Sequence, residues 1–189
     1  MQNKIYNLVA SKGIRPVMSK VRESVFSILE SRNLVSGMKV LDLFCGIGTM
    51  GVESVNKGAQ SVLFIDIDIE VVKQRIASLP SELKNRMLCM CADIIDLKVS
   101  RIKYDLIFVD PPYDRNVFTS ILLILQENHY LNEGAIVVCF MRYNTMFSRL
   151  VKGYSLYDVR LYGMTKVVFV KYCEYKNESD DRRIDCYIE

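Results

Sequence analysis

MKVLDLFCGIGTMGVESVNKG, residues 38–58, decides how this chain folds. Residues 38–44 (MKVLDLF) are a short, nearly continuous apolar run, the pattern of a strand covered on both faces. Gly46, Gly48 and Gly51 follow in G-x-G-x-x-G spacing, and residues 49–57 read as a helix ended by Gly58. Glycines permit a tight turn there and let backbone N–H groups approach a ligand. Strand, glycine turn and helix in that order are the first unit of a doubly wound α/β sheet.

Outward from this unit the alternation continues. SVLFIDI (61–67) reads as a second strand, 69–79 as a helix stopped by Pro80, and MLCMCA (87–92) as a third strand. YDLIFVD (104–110) is a fourth strand ending at two prolines, 115–127 an apolar-striped helix, and GAIVVCFM (134–141) a fifth strand. A short helix is expected near 145–151. SLYDVRLYG and MTKVVFVKY then read as a hairpin, which would add one antiparallel strand. Before the first strand, residues 19–31 place Val21, Val25, Ile28 and Leu29 on one helical face, with Ser19 as N-cap. Strands alternating with helices imply right-handed crossovers and a mostly parallel sheet.

Composition sets the bounds. Half of the 189 residues are apolar and a quarter are charged, which suits one soluble globular domain. The longest apolar run, Gly134 to Met141, is eight residues, against the roughly 20 needed to span a membrane. The N-terminus has no apolar signal region, so a cytoplasmic protein is expected. Cys45 and Cys139 fall inside apolar segments and read as buried hydrophobes. Cys89 and Cys91 are spaced CxC beside a single histidine, His129, so no metal site is expected. His129 reads as a surface residue at a helix end. The net charge of +3 conceals an asymmetry. Residues 1–32 form a basic lead-in of net +4, residues 33–173 the catalytic body, and residues 174–189 an acidic tail of net −3 expected to be flexible. A basic end beside a globular body is compatible with a nucleic-acid partner.

Two motifs carry chemistry. In DLFCGIGTMG (42–51) the glycines are followed, 20 residues after Gly46, by Asp66, whose carboxylate can accept both ribose hydroxyl protons. The fingerprint fits a dinucleotide or S-adenosylmethionine. Asp42, four residues before Gly46, favours the second: a carboxylate repels a pyrophosphate and attracts an ammonium and a sulfonium. Asp42 could equally cap the loop. The second motif is DPPY, Asp110, Pro111, Pro112 and Tyr113, at the end of the fourth strand and thus facing the glycine loop across the switch point. The Asp110 carboxylate and the Pro111 carbonyl can each accept one N–H from an exocyclic amine, which favours a localised lone pair on its nitrogen. Tyr113 offers a flat face for an extruded base. In-line attack on a sulfonium methyl then needs mainly positioning.

DLFCGIGTMG, FIDID and FVDPPY together resemble class I S-adenosylmethionine-dependent methyltransferases acting on exocyclic nitrogens. RPVMSKVRESVFSIL (15–29) and YGMTKVVFVK (162–171) resemble, more narrowly, the bacterial 16S ribosomal RNA guanine-N2 methyltransferases that act on guanine 966 of that RNA. The resemblance implies a Rossmann-like, seven-stranded sheet, S-adenosylmethionine as methyl donor without a metal, and ribosomal RNA as partner, whether free or in an assembling small subunit. A monomer is expected. Carried over by position, Asp42, Gly46 and Gly48 would line the methionine end, Asp66 would hold the ribose, Asp93 and Ala92 would sit by the adenine, and Phe44 and Ile67 would also bind the cofactor. Asp110 to Tyr113 would hold the guanine, and Arg15 and Arg22 would contact RNA near the mouth. Other readings are a DNA adenine or cytosine amino methyltransferase and a non-catalytic RNA- or nucleotide-binding module. An intact Asp110–Tyr113 motif argues against the last.

Overall fold

The computed structural model describes residues 19–112, 117–145 and 150–174. The N-terminal residues up to 18, the tail beyond 174 and most of the expected 145–151 helix lie outside them. Seven strands form one sheet: β1 (Lys39–Leu43), β2 (Ser61–Asp66), β3 (Met87–Cys91), β4 (Tyr104–Val109), β5 (Leu131–Arg142), β6 (Tyr154–Tyr162) and β7 (Thr165–Tyr172). Their order is β3-β2-β1-β4-β5-β7-β6. β1 to β5 pair in parallel, and β7 is antiparallel to both β5 and β6. The sheet is therefore mostly parallel with one reversed strand, supplied by the C-terminal hairpin as expected.

The helices are α1 (Ser19–Ser31), α2 (Thr49–Asn56), α3 (Glu70–Ala77), α4 (Ser81–Lys84) and α5 (Phe118–Glu127). Pro80 ends the helical stretch before it and opens the short α4, which the periodicity did not show. β5 runs from Leu131 to Arg142, longer at both ends than the apolar run that marked it. Asn132 and Glu133 lie in an irregularity between the paired Leu131 and Ile136 and are held through their side chains: Asn132 donates to Asp105 at 2.6 Å, and Glu133 accepts the Glu174 N–H at 2.6 Å. Ser19 is already the first helical residue of α1.

Alternate residues of each central strand feed two cores. Val40, Phe64, Phe108, Val138, Phe140 and Phe169 face α1 and α2. Leu41, Ile65, Ile107, Val137 and Val168 face the other way, against Ile121, Leu122 and Leu125 of α5. α1 buries Val21, Val25, Phe26 and Leu29; Phe26 joins the expected face, and Ile28 packs partly buried at its margin. Its ring lies 5.8 Å from that of Phe108. The end of α1 is tied to β6, where Arg32 bonds Asp158 at 2.7 Å and stacks over Tyr157. Burial would raise the Asp158 carboxyl, but hydrogen bonds from Arg160 and Arg32 outweigh it and hold the group below its ordinary range.

Helix α2 is pressed onto β2 by the absence of a side chain at Gly51. A Cβ there would overlap the Phe64 ring and lie 2.8 Å from Val62 Cγ1, both in the buried core. Gly51→Ala sets two effects against each other. Alanine gains about 1 kcal/mol of helix propensity over glycine, while overpacking a rigid core costs typically 1–3 kcal/mol. The overlap here is with a buried aromatic ring, so net destabilisation is expected in denaturant unfolding. A midpoint at or above that of the parent protein would mean that α2 can shift off β2.

Candidate functional site

The site is built on the turn between β1 and α2. Phe44, the first residue past β1, has φ 55°, a left-handed conformation that costs a non-glycine residue roughly 1–2 kcal/mol. Gly46 (φ 51°) and Gly48 (φ 70°) continue the turn, and Gly48 is the N-cap of α2. A glycine N-cap has no side chain to accept the helix's first N–H groups. Asp42 replaces it from β1, accepting the Gly51 N–H at 2.8 Å. Asp66, at the end of β2, accepts the Gly46 N–H at 2.8 Å and the Asp68 N–H at 3.3 Å. From α3, Arg75 Nη1 donates to the Ile47 carbonyl at 3.0 Å. Two carboxylates and one guanidinium thus hold the loop from outside it.

These groups make the cleft electrically unusual. Asp42 is 4% exposed. Burial pushes its carboxyl up to about 8, against the Gly51 hydrogen bond, and repulsion from Asp110 and Asp66 adds to the rise while Arg75 opposes it. Asp110, directly after β4, is pushed up to about 7 by burial. Burial also pushes the Cys45 thiol upward, so this cysteine is no thiolate nucleophile. A positive ligand would relieve the repulsion among the three acids, and an anionic one would add to it.

Asp42, Phe44, Gly46, Gly48, Asp66, Ile67, Ala92, Asp93, Asp110, Pro111 and Pro112 all fall at the carboxyl ends of the adjacent strands β3, β2, β1 and β4. The strand alternation thus brings them to one edge of the sheet. The Ala92 N–H donates to the Asp66 carbonyl at 3.0 Å, which binds the end of β3 to the end of β2. Asp93 is exposed and caps the single 3-10 turn Ile94–Asp96 through the Ile95 N–H at 3.2 Å. Ile67 is 72% exposed beside Asp66, an open apolar face next to the carboxylate. Pro111 is buried and Pro112 exposed.

Tyr113 and Arg15 lie outside the described residues. Arg22 is half-buried in the first turns of α1. The other end of α1 is fixed by Glu30 to Lys57, at the end of α2 remote from the glycine loop. The first turns of α1 therefore point toward the loop end of the sheet. Sequence reading missed Arg75, one cation among several on an ordinary helix, and Thr49, whose buried hydroxyl has no hydrogen-bond partner at the start of α2. Asp42 bonds the loop, the alternative left open from the sequence.

The architecture recurs in solved proteins. An RNA methyltransferase from Salinibacter ruber, in complex with S-adenosyl-L-homocysteine, superposes with a TM-score of 0.64 at 16% identity, covering 87% of this chain and 97% of that one. The fold is thus that of the Rossmann-like methyltransferases. An uncharacterized methylase of Rickettsia prowazekii is 25% identical over 90% of this chain and 94% of its own length. The ribosomal RNA small subunit methyltransferase D of Haemophilus influenzae is 27% identical over 67% of each chain. A family model described as conserved hypothetical protein 95 matches residues 1–171, nearly the whole of the described sheet and its lead-in, and the chain belongs to that family.

Proposed function

We propose that this protein transfers a methyl group from S-adenosylmethionine to the exocyclic N2 amine of a guanine in small-subunit ribosomal RNA. The observation that carries the reading is the convergence of Asp42, Asp66 and Asp110 on one cleft, beside the rigid Asp110-Pro111-Pro112 turn. The cleft suits a cation, which separates S-adenosylmethionine from a pyrophosphate-bearing dinucleotide. The ribosomal substrate is supported by similarity to small-subunit rRNA methyltransferases at 25–27% identity.

Gly46 and Gly48 would admit the methionine end, with Asp42 behind them. Asp66 keeps acceptor capacity for ribose hydroxyls beyond the two N–H groups it already binds. Ile67, Ala92 and Asp93 would border the adenine. When bound, S-adenosylmethionine supplies an electrophilic methyl group on a sulfonium. The chain's own work is on the amine. Asp110 and the Pro111 carbonyl each accept one N–H, so the nitrogen lone pair is drawn out of conjugation with the base and aimed. Proline has no N–H to compete and a fixed φ, so the carbonyl direction is rigid. Tyr113, next in sequence, would stack the base, and Arg15 and Arg22 would meet RNA phosphates. A carboxyl near 7 is a carboxylate at mildly alkaline pH and can also hold the proton that the methylated nitrogen releases.

Asp110→Asn and Asp110→Ala should lower kcat by about 10²–10³-fold, the usual loss for one preorganised electrostatic contact. Affinity for S-adenosylmethionine should change little. An Ala variant that methylates at the parent rate would sink this mechanism.

The pH dependence has a defined sign. Protonation removes the acceptor at Asp110, so kcat/KM for S-adenosylmethionine should fall below about pH 7, about tenfold per unit, and kcat only at lower pH. A cation favours the ionised acids, so affinity for S-adenosylmethionine should tighten as pH rises through 7 to 8, with proton release at pH 7. Calorimetry in buffers of different ionisation enthalpy reads that release. Binding that takes up or leaves the proton count unchanged would contradict the cationic cleft.

S-adenosylmethionine at 100 times its Kd should add about 2.7 kcal/mol to unfolding stability, and NAD should add nothing. Nucleoside analysis of small-subunit rRNA from cells lacking the gene, after incubation with the protein, should yield N2-methylguanosine. Any other product would overturn the proposed substrate atom.

A further inference from the structure

The cleft is lined by acids, yet the methionine end of S-adenosylmethionine carries an α-carboxylate beside its ammonium. That carboxylate needs donors of its own, and the start of α2 holds a set of them. Three polar side chains are buried among the described residues: Asp42, Thr49 and Ser54. Asp42 accepts the Gly51 N–H, and the Ser54 hydroxyl donates to the Met50 carbonyl at 2.9 Å. Thr49 is 7% exposed, and its hydroxyl has no partner. Buried hydroxyls are ordinarily paired, so this one calls for a cause. Gln126 Oε1, the other unpartnered buried oxygen among the described residues, lies beside Gly153 at the edge of the sheet opposite the cleft.

Local structure shows why the chain leaves the Thr49 hydroxyl free. A threonine in a helix commonly bonds the carbonyl four residues back. For Thr49 that carbonyl belongs to Cys45, which already accepts the Gly48 N–H at 2.6 Å as the glycine loop closes. Thr49 is also the first residue of α2, and side chains on a helix lean toward its N-terminus. The hydroxyl is thereby directed back toward the glycine loop.

Backbone donors stand beside it. A helix leaves its first N–H groups without acceptors of its own. In α2 the Gly51 N–H goes to Asp42 and the Val52 N–H to the Gly48 carbonyl. Among the described residues no acceptor meets the N–H of Thr49 or Met50. A hydroxyl and two amides at a helix N-terminus suit a carboxylate.

We infer that Thr49 is a cofactor-specificity residue: its hydroxyl, with the Thr49 and Met50 N–H groups, receives the α-carboxylate of S-adenosylmethionine. This rests on the S-adenosylmethionine reading above and deepens it, since it assigns the negative end of a ligand whose positive centres suit the acids. The unpartnered hydroxyl destabilises the free protein and finds its acceptor in the ligand. Stability without ligand and affinity for it are therefore opposed at one atom.

The test uses the full chain, with calorimetric titration and thermal unfolding. The ligands are S-adenosylmethionine and its decarboxylated analogue, which keeps the sulfonium and the amine and lacks the carboxylate. Thr49→Val keeps the shape and removes the hydroxyl. It should raise the melting temperature of the ligand-free protein by about 2–4 °C. It should weaken S-adenosylmethionine about ten- to a hundredfold, the loss for one hydrogen bond to a charged group. The decarboxylated analogue should bind the parent and the valine variant alike. Thr49→Ser should keep the parent's affinity for S-adenosylmethionine. Equal S-adenosylmethionine affinity in parent and valine variant overturns the assignment. So does an equal loss for both ligands, the mark of a merely structural role. A lower melting temperature in the valine variant also overturns it, because the hydroxyl would then be partnered in the free protein. If Thr49 acts as described but the parent methylates no guanine, the proposed substrate falls and the carboxylate site stands. If the parent binds no S-adenosylmethionine, both fall.

Discussion

The 2.8 Å hydrogen bond from the Gly51 amide to the buried Asp42 carboxylate joins the first strand to the first crossover helix, and the geometry of the cleft follows from it. β1 must hand over to α2 within five residues, and α2 must lie close on β2 because Gly51 has no side chain to hold it off. A helix starting at a glycine lacks its own cap, so its free amides need an acceptor from elsewhere. Asp42 is that acceptor. Its place on β1, on the face that looks toward α2, is set by the same alternation that buries Val40. Packing, capping and the opening of the cleft are therefore one constraint.

That solution carries an electrostatic penalty. Burying a carboxylate near two others is unfavourable, and the carboxyls of Asp42 and Asp110 respond by holding protons toward neutral pH. The loop is steadied by Asp66 and by Arg75 on the Ile47 carbonyl, and only Arg75 brings a compensating charge. The unrelieved part of the repulsion is available to a ligand with a positive centre. The raised carboxyls of Asp42 and Asp110 share one cause, burial at the ends of adjacent strands, and repulsion from Asp110 and Asp66 adds to it at Asp42. Phe44 belongs to the same account: its left-handed backbone is held because the strand before it and the loop after it are both fixed.

Much of this was legible in the sequence because the relevant signals are local. Apolar runs bounded by glycine and proline marked the strands, and the spacing from Gly46 to Asp66 marked two strand ends that had to be neighbours. Those same two residues turn out to be hydrogen-bonded. What stayed hidden depends on three-dimensional neighbours. Phe26 joined the buried face of α1, with Ile28 at its margin, because Phe108 lies opposite it. β5 extends into polar residues because side-chain bonds of Asn132 and Glu133 hold its start and pairing of Arg142 with Thr165 holds its end. Arg75 looks like any solvent-facing cation until α3 is laid beside the loop. Asp42 could be read two ways, and only the position of α2 separates them.

The reversed strand brings the turn between β6 and β7 to the carboxyl edge of the parallel strands. A seventh strand added in parallel would need a crossover and would begin at the far end of the sheet, away from the cleft. Entering instead from a hairpin, β7 starts level with the end of β5, three residues beyond the level of Val109, so the connecting turn projects at the carboxyl edge of the sheet. A small domain gains from this arrangement. The central strands β1, β2 and β4 present the acids and, just past β4, the prolines, and the hairpin made of the last two strands completes the sheet behind β5. α1 closes the other side, anchored by Arg32 to Asp158 of β6 and by Glu30 to Lys57.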